Sequence, residues 1–286
     1  MSAQPAARPA RPRKPQTNLQ VLRTERLSEH MVRVFAGGEG FGKFEAKDAT
    51  DQYVKIFFLD PELGVELPVD VAELKETLPA DKLPVTRTYT VRSVDQSARE
   101  IAIDFVVHGD EGLAGPWALK AQPGDWVMFT GPGGAYAPNP DADWYLLAGD
   151  DSALPAIGAA IEALPANATG HALIEVDSAA DIQDLDAPAG IQFHWLLRQG
   201  QVPGTTTLLR DAVARLDWPA GEVDAFVHGE RGAIKSLRDV LFKDRGLHRK
   251  QVSISGYWAY GRAEDAFQAE KRTEVGQIFP ENYPAT

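Results

Sequence analysis

The stretch GPGGAYAPNPDAD at 131–143 separates two hydrophobic patterns that cannot belong to one kind of fold. Before it, short apolar runs recur with no long helical segment between them: MVRVFA (31–36), YVKIFFL (53–59), RTYTVR (87–92), IAIDFVV (101–107) and WVMFT (126–130). Strands at that spacing predict an antiparallel barrel, interrupted by one helix around Val69–Thr77. After it, WYLLA (144–148) runs into a stretch where Leu154, Ile157, Ile161 and Leu164 recur at helical spacing. ALIEV, FHWLL, DAFVH and VSISG read as further buried strands, with helices around Thr206–Leu216 and Ile234–Phe242 between some of them. Strand alternating with helix predicts a parallel sheet covered on both faces. The expected class is therefore β plus α/β. A basic, Pro-rich disordered tail over 1–17 precedes a barrel domain over 18–139, and an α/β domain with a C-terminal extension fills 140–286.

Composition narrows the function. No apolar run reaches the roughly 18–20 residues that span a bilayer, so no membrane insertion is expected, and the N-terminal segment lacks the apolar core of a secretory signal. Zero Cys excludes disulfides, thiolate zinc and Cys-ligated clusters, and fits a cytoplasmic protein. Net charge is −12, and residues 1–20 hold four basic and no acidic residues, so the rest is more acidic still. Such a body argues against a nucleic-acid partner. One stretch departs from it: Arg238 to Arg272 carries eight Lys/Arg against five acids. It reads either as a solvated helical face or as an anion-facing patch.

Three motifs carry chemistry. In RTYTVR, alternation puts Arg87, Tyr89 and Val91 on one face and Thr88, Thr90 and Arg92 on the other. Further on, IDFVVHG leads to small residues, Gly112, Ala114 and Gly115, at the expected opening of a short helix, whose free amides suit a phosphate. A Gly-rich turn capping a helix explains them equally. In LLAGDDSALPAIGAAIEAL (146–164), a buried strand ends at Ala148, Gly149 permits close approach, and Asp150, Asp151 or Ser152 can cap the helix that follows. That is the requirement for a dinucleotide pyrophosphate at the carboxyl edge of a parallel sheet, although GxGxxG is absent.

Taken in order, RTYT (87–90), HGDEGLAGPWA (108–118), GDWVMFTGPGG (124–134), AGDDSALPAI (148–157), HGERGAIKSLR (228–238) and GYW (256–258) resemble the siderophore-interacting protein family. That family is a branch of the ferredoxin-reductase-like flavoproteins, and the resemblance covers nearly everything from residue 20 to 263. It implies an N-terminal FAD-binding barrel and a C-terminal NAD(P)H-binding domain. It implies that Arg87 neutralises the FAD pyrophosphate, that Tyr89 lies against the isoalloxazine, and that Thr90, on the strand with Thr88, sits near the reactive flavin nitrogen. His108 and the amides of Leu113, Ala114 and Gly115 would complete phosphate and adenine binding, with Trp117 and Ala118 as a packing wall. Gly149, Asp150, Ser152, Ala153, Leu154, Gly229 and Glu230 would serve the nicotinamide dinucleotide.

The implied activity is reduction of a ferric siderophore with electrons from NADH or NADPH, with ferredoxin as an alternative source and no general acid or base. A reductase for a protein or free-flavin acceptor, and a ferric-chelate binding module without turnover, stand as rivals. Asp177 after HALIEV tilts the donor toward NADH. The chain departs from the family at three places: no hydroxyl in Gly112–Gly115, His228 where a small residue is usual, and Ala259 where the family carries a basic residue after GYW. Arg262, with Arg249, Lys250 or Arg238, is expected to replace that missing charge for an anionic ferric chelate.

Overall fold

The computed structural model describes residues 15–108, 112–280 and 283. Six strands close an antiparallel barrel: β1 (Gln16–Ser28), β2 (Met31–Gly37), β3 (Tyr53–Phe58), β4 (Val85–Asp95), β5 (Glu100–Val106) and β6 (Trp126–Gly133), ordered β1-β2-β5-β4-β3-β6. Inward residues such as Leu19, Val34, Val54, Ile56, Phe105 and Phe129 fill it. Arg33 stands opposite Asp104 across β2 and β5 and forks onto both carboxylate oxygens at 2.6 and 2.8 Å. Two helices cover the barrel. α1 (Val71–Thr77) is capped by Asp70, which accepts from the Ala72 amide at 2.7 Å, and α2 (Ala114–Lys120) packs on β2 and β5.

β1 is the element the sequence pattern did not predict. Thr17, Leu19 and Val21 alternate inward, but the following Arg23, Thr24, Glu25 and Arg26 are exposed and mask the period. Gln16 and Thr17 pair with Thr130 and Phe129, so the expected tail ends earlier than 17; its residues 1–14 lie outside the described residues, as do 109–111 of the HGDEG segment.

The second half forms an all-parallel five-stranded sheet, ordered β11-β10-β7-β8-β9. Its strands are β7 (Trp144–Asp150), β8 (Thr169–Val176), β9 (Gly190–Leu197), β10 (Val223–Glu230) and β11 (Val252–Trp258), with α3 (Leu154–Glu162), α4 (Leu208–Arg215) and α5 (Arg231–Asp239) in the crossovers. β7 and β10 are buried along their whole length, as central strands covered on both faces must be. β9 is an edge strand and only half-buried, so FHWLL is not the fully buried run its composition suggests. α6 (Glu264–Glu270) follows β11 and returns toward the barrel.

α3 also binds the two halves together. Arg92, on the outward face of β4, lies over Gly158, where an added Cβ would come within 3.1 Å of its Nε. Its guanidinium forks onto both carboxylate oxygens of Glu162, with one bond at 2.8 Å.

Candidate functional site

The residues singled out in the sequence fall into two groups that meet at one point. The first lies on β4. Thr88 is exposed and faces the same side as its cross-strand partner Lys55, while Arg87 and Tyr89 stand opposite Ile56 and Val54. The Tyr89 ring is half-buried, tilted on Phe105 with centroids 4.4 Å apart, and burial raises its phenol far above the ordinary value. Arg87 is half-buried; its guanidinium donates to the Thr86 carbonyl at 2.9 Å and lies 3.6 Å from Asp265 of α6. Thr90 is buried beside the Tyr257 hydroxyl of β11, whose pKa burial raises. RTYT and GYW, from opposite halves of the chain, thus lie side by side.

The barrel's other predicted residues divide by burial. His108 is exposed, its ring 6.3 Å from that of His30. Leu113 is exposed at the N-cap of α2, where no side chain caps the helix. Ala114, Gly115 and Ala118 are buried, and an added Cβ at Gly115 would sit 3.2 Å from the Val106 carbonyl, so these three seat α2 on the barrel. Trp117 packs on Phe58 and Phe105 of the barrel at 5.7 and 5.5 Å.

The second group lines the carboxyl edge of the parallel sheet. Asp150, at the end of β7, does not cap α3. Its carboxylate accepts from the Glu230 amide at 2.7 Å, the Trp258 indole at 2.9 Å and Ser152, whose hydroxyl is 2.5 Å away. The N-cap of α3 is Ala153, with no side-chain bond, because the acids offered as caps are turned toward other partners. Burial first, and then the neighbouring Asp151, raise the Asp150 carboxyl to about 7. Gly229, at φ 148°, leaves room for that carboxylate, which an added Cβ would meet at 2.8 Å. Gly149 admits a strand rather than a ligand, since a Cβ there would strike the His228 carbonyl at 2.4 Å. Ala153 and Leu154 are buried. Glu230 caps α5 through the Ala233 amide at 2.8 Å and accepts from the Tyr260 amide at 3.1 Å.

Sequence reasoning missed the rest of this edge. Glu175, Arg198, Gly204 and Thr206 join Asp150 and Trp258 around a narrow cleft of about 10 Å³. Arg198 donates to Asp151 at 2.8 Å, and Glu175 accepts from Thr206 at 2.8 Å. Strand-end acids were visible in the sequence, but their convergence required the strand order. His228 is buried, stacked on Phe226 at 3.8 Å and bonded to Ser253 at 2.9 Å, and burial lowers its pKa to about 3.

The four basic residues chosen for the substrate do not converge. Arg249 stacks on Phe279 at 3.0 Å, and Arg238 donates to the Ile278 carbonyl at 2.6 Å, so both fasten the C-terminal segment. Arg249 and the exposed Lys250 precede β11, while Trp258 ends it, about 20 Å away at strand rise. Arg262 stays at the Trp258 end, paired with Glu270 at 2.7 Å. Lys55, unremarked in the sequence, and Lys271 of the basic stretch are near enough that Lys55 adds to the burial that lowers the Lys271 pKa.

Residues 20–136 match the family described as siderophore-interacting FAD-binding domain, and residues 142–261 match siderophore-interacting protein. The chain belongs to the siderophore-interacting protein family. It is 33% identical to ferric vibriobactin reductase of Vibrio cholerae over 91% of this chain and 96% of that one. It is 30% identical to an NADPH-dependent ferric-chelate reductase of Escherichia coli, over 84% and 91% of the two chains. A siderophore utilization protein from T. fusca superposes with a TM-score of 0.78 at 40% identity, covering 87% of this chain and 94% of that structure. Among the described residues no helix is long and apolar enough to cross a membrane.

Proposed function

We propose that this protein is an FAD-containing reductase that takes hydride from a nicotinamide dinucleotide and delivers electrons to a ferric siderophore, releasing ferrous iron. The observation that carries this reading is the placement of Thr90 beside Tyr257, which brings the FAD-binding barrel against the carboxyl edge of the parallel sheet. The donor set beside it fits FAD: a guanidinium at Arg87, an aromatic ring at Tyr89, a hydroxyl at Thr90 and the uncapped amides that open α2. When bound, FAD converts a two-electron hydride input into one-electron output. One dinucleotide therefore supplies two ferric ions. Arg87 exchanges its contact with Asp265 for pyrophosphate, and Tyr89 holds the ring system against the barrel. The residues at the sheet edge hold the donor, and none is required to move a proton.

For an anionic chelate, Lys55, Lys271 and Arg262 supply the positive charge near RTYT, and Arg238, Arg249 and Lys250 are withdrawn from that role. Ala259 is itself buried, so the cation missing there is not a gap in the surface. The test is anaerobic turnover of the FAD-loaded protein with NADH or NADPH and a ferric siderophore, with ferrous iron trapped by a coloured chelator. Ferrous iron formed in proportion to donor, two per dinucleotide, is the expected result. Donor oxidation that reduces free flavin but no ferric chelate would replace this reading with the flavin reductase; no flavin and no turnover would leave only a binding module.

A further inference from the structure

The cleft at the carboxyl edge has a charge that bears on which donor it accepts. Asp150, Glu175 and Glu230 line it, and Arg198 is the only basic residue among its lining residues. That guanidinium is paired with an acid. Its Nη2 donates to Asp151 at 2.8 Å, and it is buried with Nε 4.0 Å from Asp177 and without a hydrogen-bond partner among the described residues. Glu175 is buried and accepts from the Thr206 hydroxyl at 2.8 Å, which leaves lone pairs free on its carboxylate. The cleft thus offers guanidinium N–H donors on one side and carboxylate acceptors on the other, inside a negatively charged lining.

A hydroxyl group matches that arrangement, because it can accept from the Arg198 guanidinium and donate to Glu175. A phosphate does not match, because it carries about −1.5 to −2 charge and only acceptor oxygens toward Glu175 and Glu230, in a cleft of about 10 Å³. We infer that the cleft between Glu175, Arg198 and Thr206 binds the unphosphorylated ribose of the donor, so that this protein discriminates for NADH and against NADPH. The inference rests on the proposed function for the identity of the donor. It separates this chain from the NADPH-dependent relative, and it assigns the discrimination to Glu175 and Arg198 rather than to Asp177, whose carboxylate accepts from the Gly200 amide at 3.2 Å.

Two measurements test it. Calorimetric titration of the flavin-loaded protein with adenosine 5′-monophosphate and with its 2′-phosphorylated form reads binding without turnover, and the phosphorylated ligand is expected to bind at least about tenfold more weakly. Anaerobic flavin reduction should favour NADH over NADPH by a similar factor, and Glu175→Gln should narrow that preference by improving NADPH. Equal or tighter binding of the phosphorylated nucleotide, or equal reduction by NADPH, would overturn the inference while leaving the reductase reading intact. Reduction by neither donor would overturn the reductase reading, and the titration would still decide what the cleft binds.

Discussion

The strand carrying RTYT and the carboxyl edge of the parallel sheet touch at Thr90 and Tyr257, yet they are built on opposite terms. On β4 the half-buried Arg87 is lightly held, with one carbonyl and a 3.6 Å contact with an exposed acid. At the sheet edge they are buried and mutually bonded, with Asp150 alone accepting from Glu230, Trp258 and Ser152. A group held lightly can exchange its partner for a ligand at little cost. A buried group with every partner in place fixes the geometry around it instead.

The largest expected effect follows from the buried side of that contrast. Asp150→Ala leaves the Glu230 amide and the Trp258 indole without an acceptor and should cost about 3 kcal/mol or more of stability. Urea unfolding that moved by no more than a surface substitution would show that water replaces the carboxylate freely. Arg92→Ala removes the forked bond to Glu162 across the two halves and should cost about 2 kcal/mol, read in the same experiment.

Arg87→Ala should behave in the opposite way. Its folding stability should change by under about 1 kcal/mol, while FAD affinity falls by about 1.5–3 kcal/mol, measured by flavin titration of the apoprotein. Full flavin retention in this variant would remove Arg87 from the site and blur the contrast between the two regions.

The last effect concerns pH. Between pH 3.8 and about 7, folded Asp150 keeps a proton that the unfolded chain has released, so this group makes stability fall as pH rises. Between about 3 and 6.5, the unfolded chain binds a proton that buried His228 refuses, so this group makes stability fall as pH drops. From 3.8 to 6.5 the two slopes oppose. Asp150→Asn should expose the His228 slope and His228→Gln the Asp150 slope, each at most about 1.4 kcal/mol per pH unit relative to the parent. Variants whose pH profiles parallel the parent's would show that neither group titrates as its burial implies.

The sequence by itself determined the two-part architecture, because strand alternation and helical spacing are local and survive without knowing what packs on what. It also brought out RTYT, AGDDSALP and GYW, whose order along the chain carries the family resemblance. It did not reveal β1, since the exposed charges from Arg23 to Arg26 hide a strand that the barrel needs for closure. Only the tertiary structure decided which basic residues share a surface: Arg249 and Arg262 are thirteen positions apart, but β11 places them at opposite ends of one strand. Only strand order β10-β7-β8-β9 gathered Glu230, Asp150, Glu175 and Arg198 around one cleft. Each is an ordinary polar residue near a strand end, and a parallel sheet aligns such ends only after every crossover has been made.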